Sequence, residues 1–173
     1  DDAVNIYSKD ESRIVTRDIA GAGEHDYALP SEWSTDFSEM TSPDGIEFPA
    51  GSIPELFLED KDWFIYRPDT TKFTINNASS GASSVTVSTA ANALFFKDGD
   101  VIEIGDNAAS ETERIATDGN TTTGVIALAG TLAATYNSTP YVKHVHILRL
   151  PHHTPGTSEI LRMRFSTKHT HTD

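Results

Sequence analysis

The sequence predicts a mainly β protein with one short helix: a small β-meander or sandwich core that carries an inserted small β-barrel-like domain. Three observations predict it. In residues 160–167, ILRMRFST, Leu161, Met163 and Phe165 alternate with Arg162, Arg164 and Ser166. That period of two gives one buried face and one wet, basic face. Two other apolar runs, Phe64-Ile65-Tyr66 and His146-Ile147-Leu148-Arg149-Leu150, are stopped by Pro68 and Pro151. Between those two runs the composition changes to Thr, Ser and Ala with short strand signals at close spacing, the pattern of a small barrel or sandwich. The core domain is expected over residues 1–71 plus 144–173, and the inserted β-domain over 72–143.

Taken in order, Arg13-Ile14-Val15-Thr16-Arg17 is the centre of a first strand, and Gly21-Ala22-Gly23 ends it. Leu29-Pro30 breaks the chain again, and Pro30 suits a first helical position. Trp33, Phe37 and Met40 then fall at i, i+4 and i+7, which predicts a short helix with these residues on its core stripe. Ser42-Pro43-Asp44-Gly45 is a turn, Ile46-Glu47-Phe48 a short strand, and Leu56-Phe57-Leu58 another that runs into Glu59-Asp60-Lys61-Asp62. Within the insertion, strands are expected at Phe73-Thr74-Ile75, Val85-Thr86-Val87, Val101-Ile102-Glu103-Ile104, Glu113-Arg114-Ile115-Ala116, Val125-Ile126-Ala127-Leu128 and Tyr141-Val142. Phe95-Phe96 is an apolar anchor before an Asp98-Gly99-Asp100 turn.

A chain of 173 residues suits one domain with an insertion, or two small domains. Its hydrophobic fraction of 37% is low, as in a thin β-protein that completes its core or covers its edges against neighbouring copies. There is no cysteine, so disulfides and thiolate metal sites contribute nothing. No run approaches the roughly 18 apolar residues of a membrane span, and no signal-peptide pattern is present. The chain opens on Asp1-Asp2 without Met, as a processed or trimmed start does. The net charge of -13 is uneven: residues 1–70 hold 17 acids against 5 bases, and residues 144–173 hold 2 against 4. An acidic surface repels phosphate, which argues against a groove-reading nucleic-acid binder. It suits solubility, and equally a surface that DNA passes without sticking.

Several constellations bear on chemistry. His144-Val145-His146 places two imidazoles on one strand face, half of a zinc or nickel site, and His152-His153, His169 and His171 follow. His144 and His146 are the metal candidates, although no third ligand is evident and no cofactor is expected. Asp98-Gly99-Asp100 and Asp118-Gly119-Asn120 resemble fragments of calcium loops but lack the continuation. They read as hairpin turns that need positive φ. Glu55, Glu59, Asp60 and Asp62 form an acidic run with no spacing that singles out a facing carboxylate pair. No nucleophile elbow, phosphate loop or dinucleotide fingerprint occurs, and an enzyme is not expected. Trp33, Trp63, Tyr66 and Tyr136 are candidates for stacking on sugars, or for core and interface anchors.

The order of motifs carries a resemblance. YSKDESRIVTRDIAGAGEHDYALPSEWSTDFSEM, then IEFPAGSIPELFLEDKDWFIYR, then LRLPHHTPGTSEILRMRFSTKHT resemble the head-to-tail adaptor (connector) proteins in the neck of tailed bacteriophages. Residues 7–67 and 147–170 carry it. The resemblance implies a virion protein assembled in the host cytoplasm. It implies a homo-oligomeric ring of about twelve copies, bound to a portal protein on one side and a tail or stopper protein on the other. DNA would pass through without sequence-specific binding. It makes Trp33, Phe37, Trp63, Tyr66 and Phe165 core or interface anchors, and Glu55, Glu59, Asp60 and Asp62 acids that face the channel. Adaptor-like chains continue past the last strand into an Ala-rich helix, whereas this sequence stops at Asp173. The insertion resembles a β-module of phage capsid, decoration and tail proteins, with the frame Gly99, Asp100, Ile102, Ile104 and Gly105 followed by Glu111 and Ile115. That likeness keeps open a capsid decoration, tail or baseplate subunit. A secreted carbohydrate- or metal-binding β-module is the alternative of another class.

Overall fold

The computed structural model describes residues 13–34, 37–40 and 62–168, and the backbone of 46–47. The protein is mainly β. Among the described residues no helix is long and apolar enough to cross a membrane. The described residues up to Ile65, with those from Leu148 on, form one compact unit, and Tyr66–Ile147 form another. The sequence placed these divisions at 71/72 and 143/144. The chain instead passes between units inside two strands, Phe64–Tyr66 and Ile147–Arg149.

The first unit, the core unit, is built on the strands β1 (Arg13–Ala20), β2 (Asp26–Ala28), β3 (Ile46–Glu47), β4 (Phe64–Tyr66), β11 (Ile147–Arg149) and β12 (Ile160–Thr167). They make two three-stranded sheets, ordered β1-β12-β3 and β2-β11-β4. β1 and β12 pair antiparallel over eight residues, from Arg13 opposite Thr167 to Ala20 opposite Ile160. Gly21 follows β1, at a position where a Cβ would lie 2.2 Å from the Gly156 carbonyl oxygen. Both sheets feed one buried cluster of Val15, Tyr27, Trp63, Leu148, Leu150, Leu161, Met163 and Phe165. A sandwich core is therefore present, but not as the meander expected from the last three apolar runs. Residues 147–149 do pair with 64–66, whereas β12 joins the other sheet. Pro151 and Pro155 in the intervening segment rule out a tight hairpin, and β1 offers β12 a partner of equal length.

The helix expected around Trp33, Phe37 and Met40 is absent among the described residues. Short turns form, with the Trp33 amide donating to the Pro30 carbonyl at 2.9 Å and the Phe37 and Ser38 amides to the Ser34 carbonyl at 3.0 and 2.6 Å. The neighbouring backbone groups bond to the end of β12 instead. The Thr167 hydroxyl donates to the Glu32 carbonyl at 2.7 Å, the Ser166 amide to the Glu39 carbonyl at 2.9 Å, and the Glu39 amide to the Ser166 hydroxyl at 2.9 Å. Met40 then bridges to Phe165. The same contacts explain why Ser166 and Thr167 are buried where strict alternation put Ser166 in water. The basic face of β12 is also partly neutralised, because Arg162 lies opposite Asp18 and donates to both of its carboxylate oxygens at 2.8 and 3.1 Å.

The second unit, the inserted unit, carries β5 (Phe73–Thr74), β6 (Ser84–Thr86), β7 (Val101–Gly105), β8 (Ser110–Arg114), β9 (Val125–Ala127) and β10 (Tyr141–His144), with a 3-10 helix at Ala90–Phe95. One sheet has the order β5-β10-β7-β8 and the other pairs β6 with β9. Single bridges, Ile75 to Val87 and Ile115 to Leu128, link the two sheets at both edges. The expected barrel is thus approached, but no sheet closes into one. Strands of two to five residues are too short to sustain a closed ladder. The enclosed cluster includes Ile75, Val85, Phe96, Ile102, Ile104, Ile115, Ile126, Leu132, Tyr136 and Val142.

One buried-edge acid in this unit makes a pH prediction. The Glu113 carboxylate lies against Gly130, where an added Cβ would sit 2.8 Å from its oxygen. Burial, and then the neighbouring Glu111, hold its pKa above the ordinary value of 4.5. A folded pKa raised above the unfolded one contributes stability below about pH 4.5, which is lost as the pH rises through the folded value. Glu113→Gln is therefore expected to stabilise the inserted unit at pH 7 by roughly a few tenths of a kcal/mol, a gain moderated by solvent screening. The gain should vanish at pH 4. Thermal melts of both proteins at the two pH values check this, and an equal gain at pH 4 would contradict it.

Candidate functional site

A well-defined cavity among the described residues lies within the inserted unit. It is a cleft of about 510 Å³, lined by Tyr66, Pro68, Asp69, Thr71, Phe73, Phe95, Lys97, Asp100 and His144. The Gly99-Asp100 turn fixes its floor. Gly99 has a φ of 81°, a left-handed conformation that glycine adopts without strain, and its amide donates to the Ile115 carbonyl at 3.0 Å. The turn aims the Asp100 carboxylate at two donors, the Lys97 amide at 2.7 Å and the His144 Nε2 at 3.1 Å. The His144 ring also stacks on buried Phe96, with centroids 5.0 Å apart at 19°. Imidazole position and plane are thus both set.

The walls are aromatic. Phe95 ends the 3-10 helix and stacks on Phe73, with centroids 5.4 Å apart at 23°. Phe96 meets Phe73 edge-on at 5.5 Å. Adjacent phenylalanines therefore part company: Phe96 is fully buried, whereas Phe95 is 51% exposed. Tyr66 is 40% exposed. At the rim the Asp69 carboxylate accepts from the Thr71 hydroxyl at 2.8 Å and the Thr71 amide at 2.9 Å. Those bonds, the hydroxyl first, hold its pKa below the ordinary carboxylate value, and nearby His144 adds to the effect. Lys97 faces Asp118 at 3.6 Å, with both side chains more than half exposed.

The positions singled out in the sequence divide sharply. Trp63 and Phe165 are fully buried in the core cluster, and Trp33 packs on Phe165 with ring centroids 5.3 Å apart. Phe37 is half-buried, with the Lys168 Nζ 5.9 Å from its ring centre. Tyr66 belongs to the cleft rather than to any core. Among the sugar-stacking candidates Trp63 and Tyr136 are buried and offer no open face. Glu55, Glu59 and Asp60 lie outside the described residues, and Asp62 is half-buried. Of the two metal candidates, His144 contacts Asp100 and the Phe96 ring. No group of three metal-ligating residues converges among the described residues. His169 and His171 are outside them.

The calcium-like fragments are turns that hold each other, since the Asp98 amide donates to the Asp118 carboxylate at 3.0 Å. Each position of the recurring frame in the insertion has a structural task. Ile102 and Ile104 are fully buried and Ile115 nearly so. Gly105 avoids a clash with Ser110, and Glu111 accepts from the Ala133 amide at 2.9 Å.

The chain matches no protein-family model, no curated protein and no solved structure.

Proposed function

We propose that the chain is a structural virion subunit of a tailed phage, a ring-forming head-to-tail adaptor that joins portal to tail around the DNA channel. The observation that carries this reading is the way the motifs of the adaptor resemblance assemble. Tyr27, Trp63, Leu161, Met163 and Phe165 come from three separated stretches of sequence and meet in one cluster, with Trp33 packed against it. The matching segments thus behave as one folded unit that a second β-unit interrupts. The mechanism is geometric. Subunits pack side by side, and closure of the ring multiplies contacts that are each modest. The acid excess of residues 1–70, including Glu55, Glu59, Asp60 and Asp62, repels the phosphate backbone so that DNA slides without binding. The frame in the inserted unit favours a wider reading as a capsid decoration, tail or baseplate subunit, which the symmetry of the assembly separates from the neck.

Single-particle electron microscopy of the purified chain, with its mass in solution measured in parallel, tests the proposal. The expected result is closed rings with a central hole wide enough for duplex DNA. A monodisperse monomer that stays monomeric with a portal protein present would overturn the adaptor reading.

A further inference from the structure

The side chains of the cleft in the inserted unit are held in place by hydrogen bonds and ring contacts. The Phe96 amide donates to the Ala93 carbonyl at 3.1 Å, and the Lys97 amide donates to Asp100. Exposed Phe95 is therefore presented by a fixed turn and backed by Phe73. A rigid, exposed aromatic surface loses little entropy on binding. The volume of about 510 Å³ falls inside the range of small-molecule sites, roughly 300–1,000 Å³.

We propose that this cleft binds a neutral pyranose ring, lying on the exposed Phe95 ring with its hydroxyls directed to Asp69, Asp100, Lys97 and His144.

The lining favours this class over singly charged and purely apolar ligands. Carboxylates at Asp69 and Asp100 oppose an anion, and Lys97 opposes a cation, so neither charged ligand finds a site of one sign. A purely apolar ligand, such as a flat aromatic or an aliphatic side chain, satisfies the walls. It would also strip water from four polar side chains and return no hydrogen bonds, which is costly. A sugar ring satisfies both halves. Its axial C–H face is apolar and suits an aromatic surface. Its hydroxyls both donate and accept, as a mixture of carboxylate, ammonium and imidazole demands. The proposal concerns the inserted unit alone and does not depend on whether the chain forms a ring.

The test is titration of the full-length, isotope-labelled chain with the methyl glycosides of glucose, galactose and mannose to tens of millimolar, followed by amide NMR. Sorbitol serves as an acyclic control. At least one glycoside should move the amides of Phe95, Lys97 and His144 along a saturable curve that sorbitol does not reproduce. Phe95→Ala should weaken that binding by about fivefold or more, and Asp69→Asn should weaken it too. Both replaced side chains are exposed, so the spectra should otherwise stay unchanged and show an intact fold. Three results would overturn the proposal: no response from these amides to any glycoside, an equal response to sorbitol, or binding that both variants leave intact.

Discussion

Trp63→Ala is expected to cost the core unit about 3–5 kcal/mol, the range for truncating a fully buried large aromatic. Trp63 has no exposed surface and sits in a cluster fed by both sheets, with Leu148, Leu150, Leu161, Met163 and Phe165. An alanine leaves a cavity that neither sheet can fill without giving up its strand pairing. Because domain stability is typically only about 5–15 kcal/mol, a loss of that size leaves the unit close to unfolding at ambient temperature. The inserted unit should be untouched, since its cluster shares no residue with this one. The chain carries only two tryptophans, Trp33 and Trp63, so fluorescence reports the core unit alone. In the variant, Trp33 still rests on Phe165 and reports its loss. Urea unfolding by tryptophan fluorescence, with amide exchange of the inserted unit measured alongside, checks the prediction. A cost below about 1 kcal/mol, ordinary for a surface site, would refute the placement of Trp63 at the centre of the core.

Phe96→Ala is the mirror experiment, expected to cost the inserted unit about 3–5 kcal/mol. Phe96 is fully buried, meets Phe73 edge-on and carries the His144 ring on its face. Its removal opens the core and also frees the imidazole that the Asp100 bond alone would then hold. Phe95→Ala, one position earlier, should cost only about 1 kcal/mol, because that ring is half-exposed and loses chiefly its stacking on Phe73. The pair discriminates sharply between neighbours of identical chemistry. Amide exchange of β7 and β10 reads the effect, and tryptophan fluorescence should remain silent. Comparable losses at Phe95 and Phe96 would mean that the helix turn does not separate the two rings as described.

The strands were legible because their signal is local. Leu161, Met163 and Phe165 alternate with polar neighbours, and that period identifies their buried face whatever partner they find. The partner itself was not legible. β12 pairs with β1 from the other end of the described chain, and nothing in a window of ten residues encodes that choice. The Trp33–Met40 stripe shows the opposite failure. Helical spacing was real, but the backbone groups found better acceptors and donors at Ser166 and Thr167, so tertiary contacts overrode the period. The cleft went unread for a similar reason. Phe73, Phe95 and His144 are far apart in sequence, and an adjacent Phe95-Phe96 pair looks like a single apolar anchor until the turn divides it.

The pairing of β1 with β12 also sets an order of events. Their partners are separated by 140 residues at Ala20 and Ile160, the nearest pair. A ribosome adds about 5–20 residues per second, so β1 waits roughly 7–30 s for the strand that completes it. The inserted unit, whose residues are contiguous, is finished first and can fold within that wait. Meanwhile β1 is a bare edge, and edges of that kind recruit wrong neighbours. Arg13, Arg17 and Asp18 along its length are the sort of charges that keep such an edge from sticking. The same arrangement makes final closure of the core unit a late, non-local step, and slow for its size.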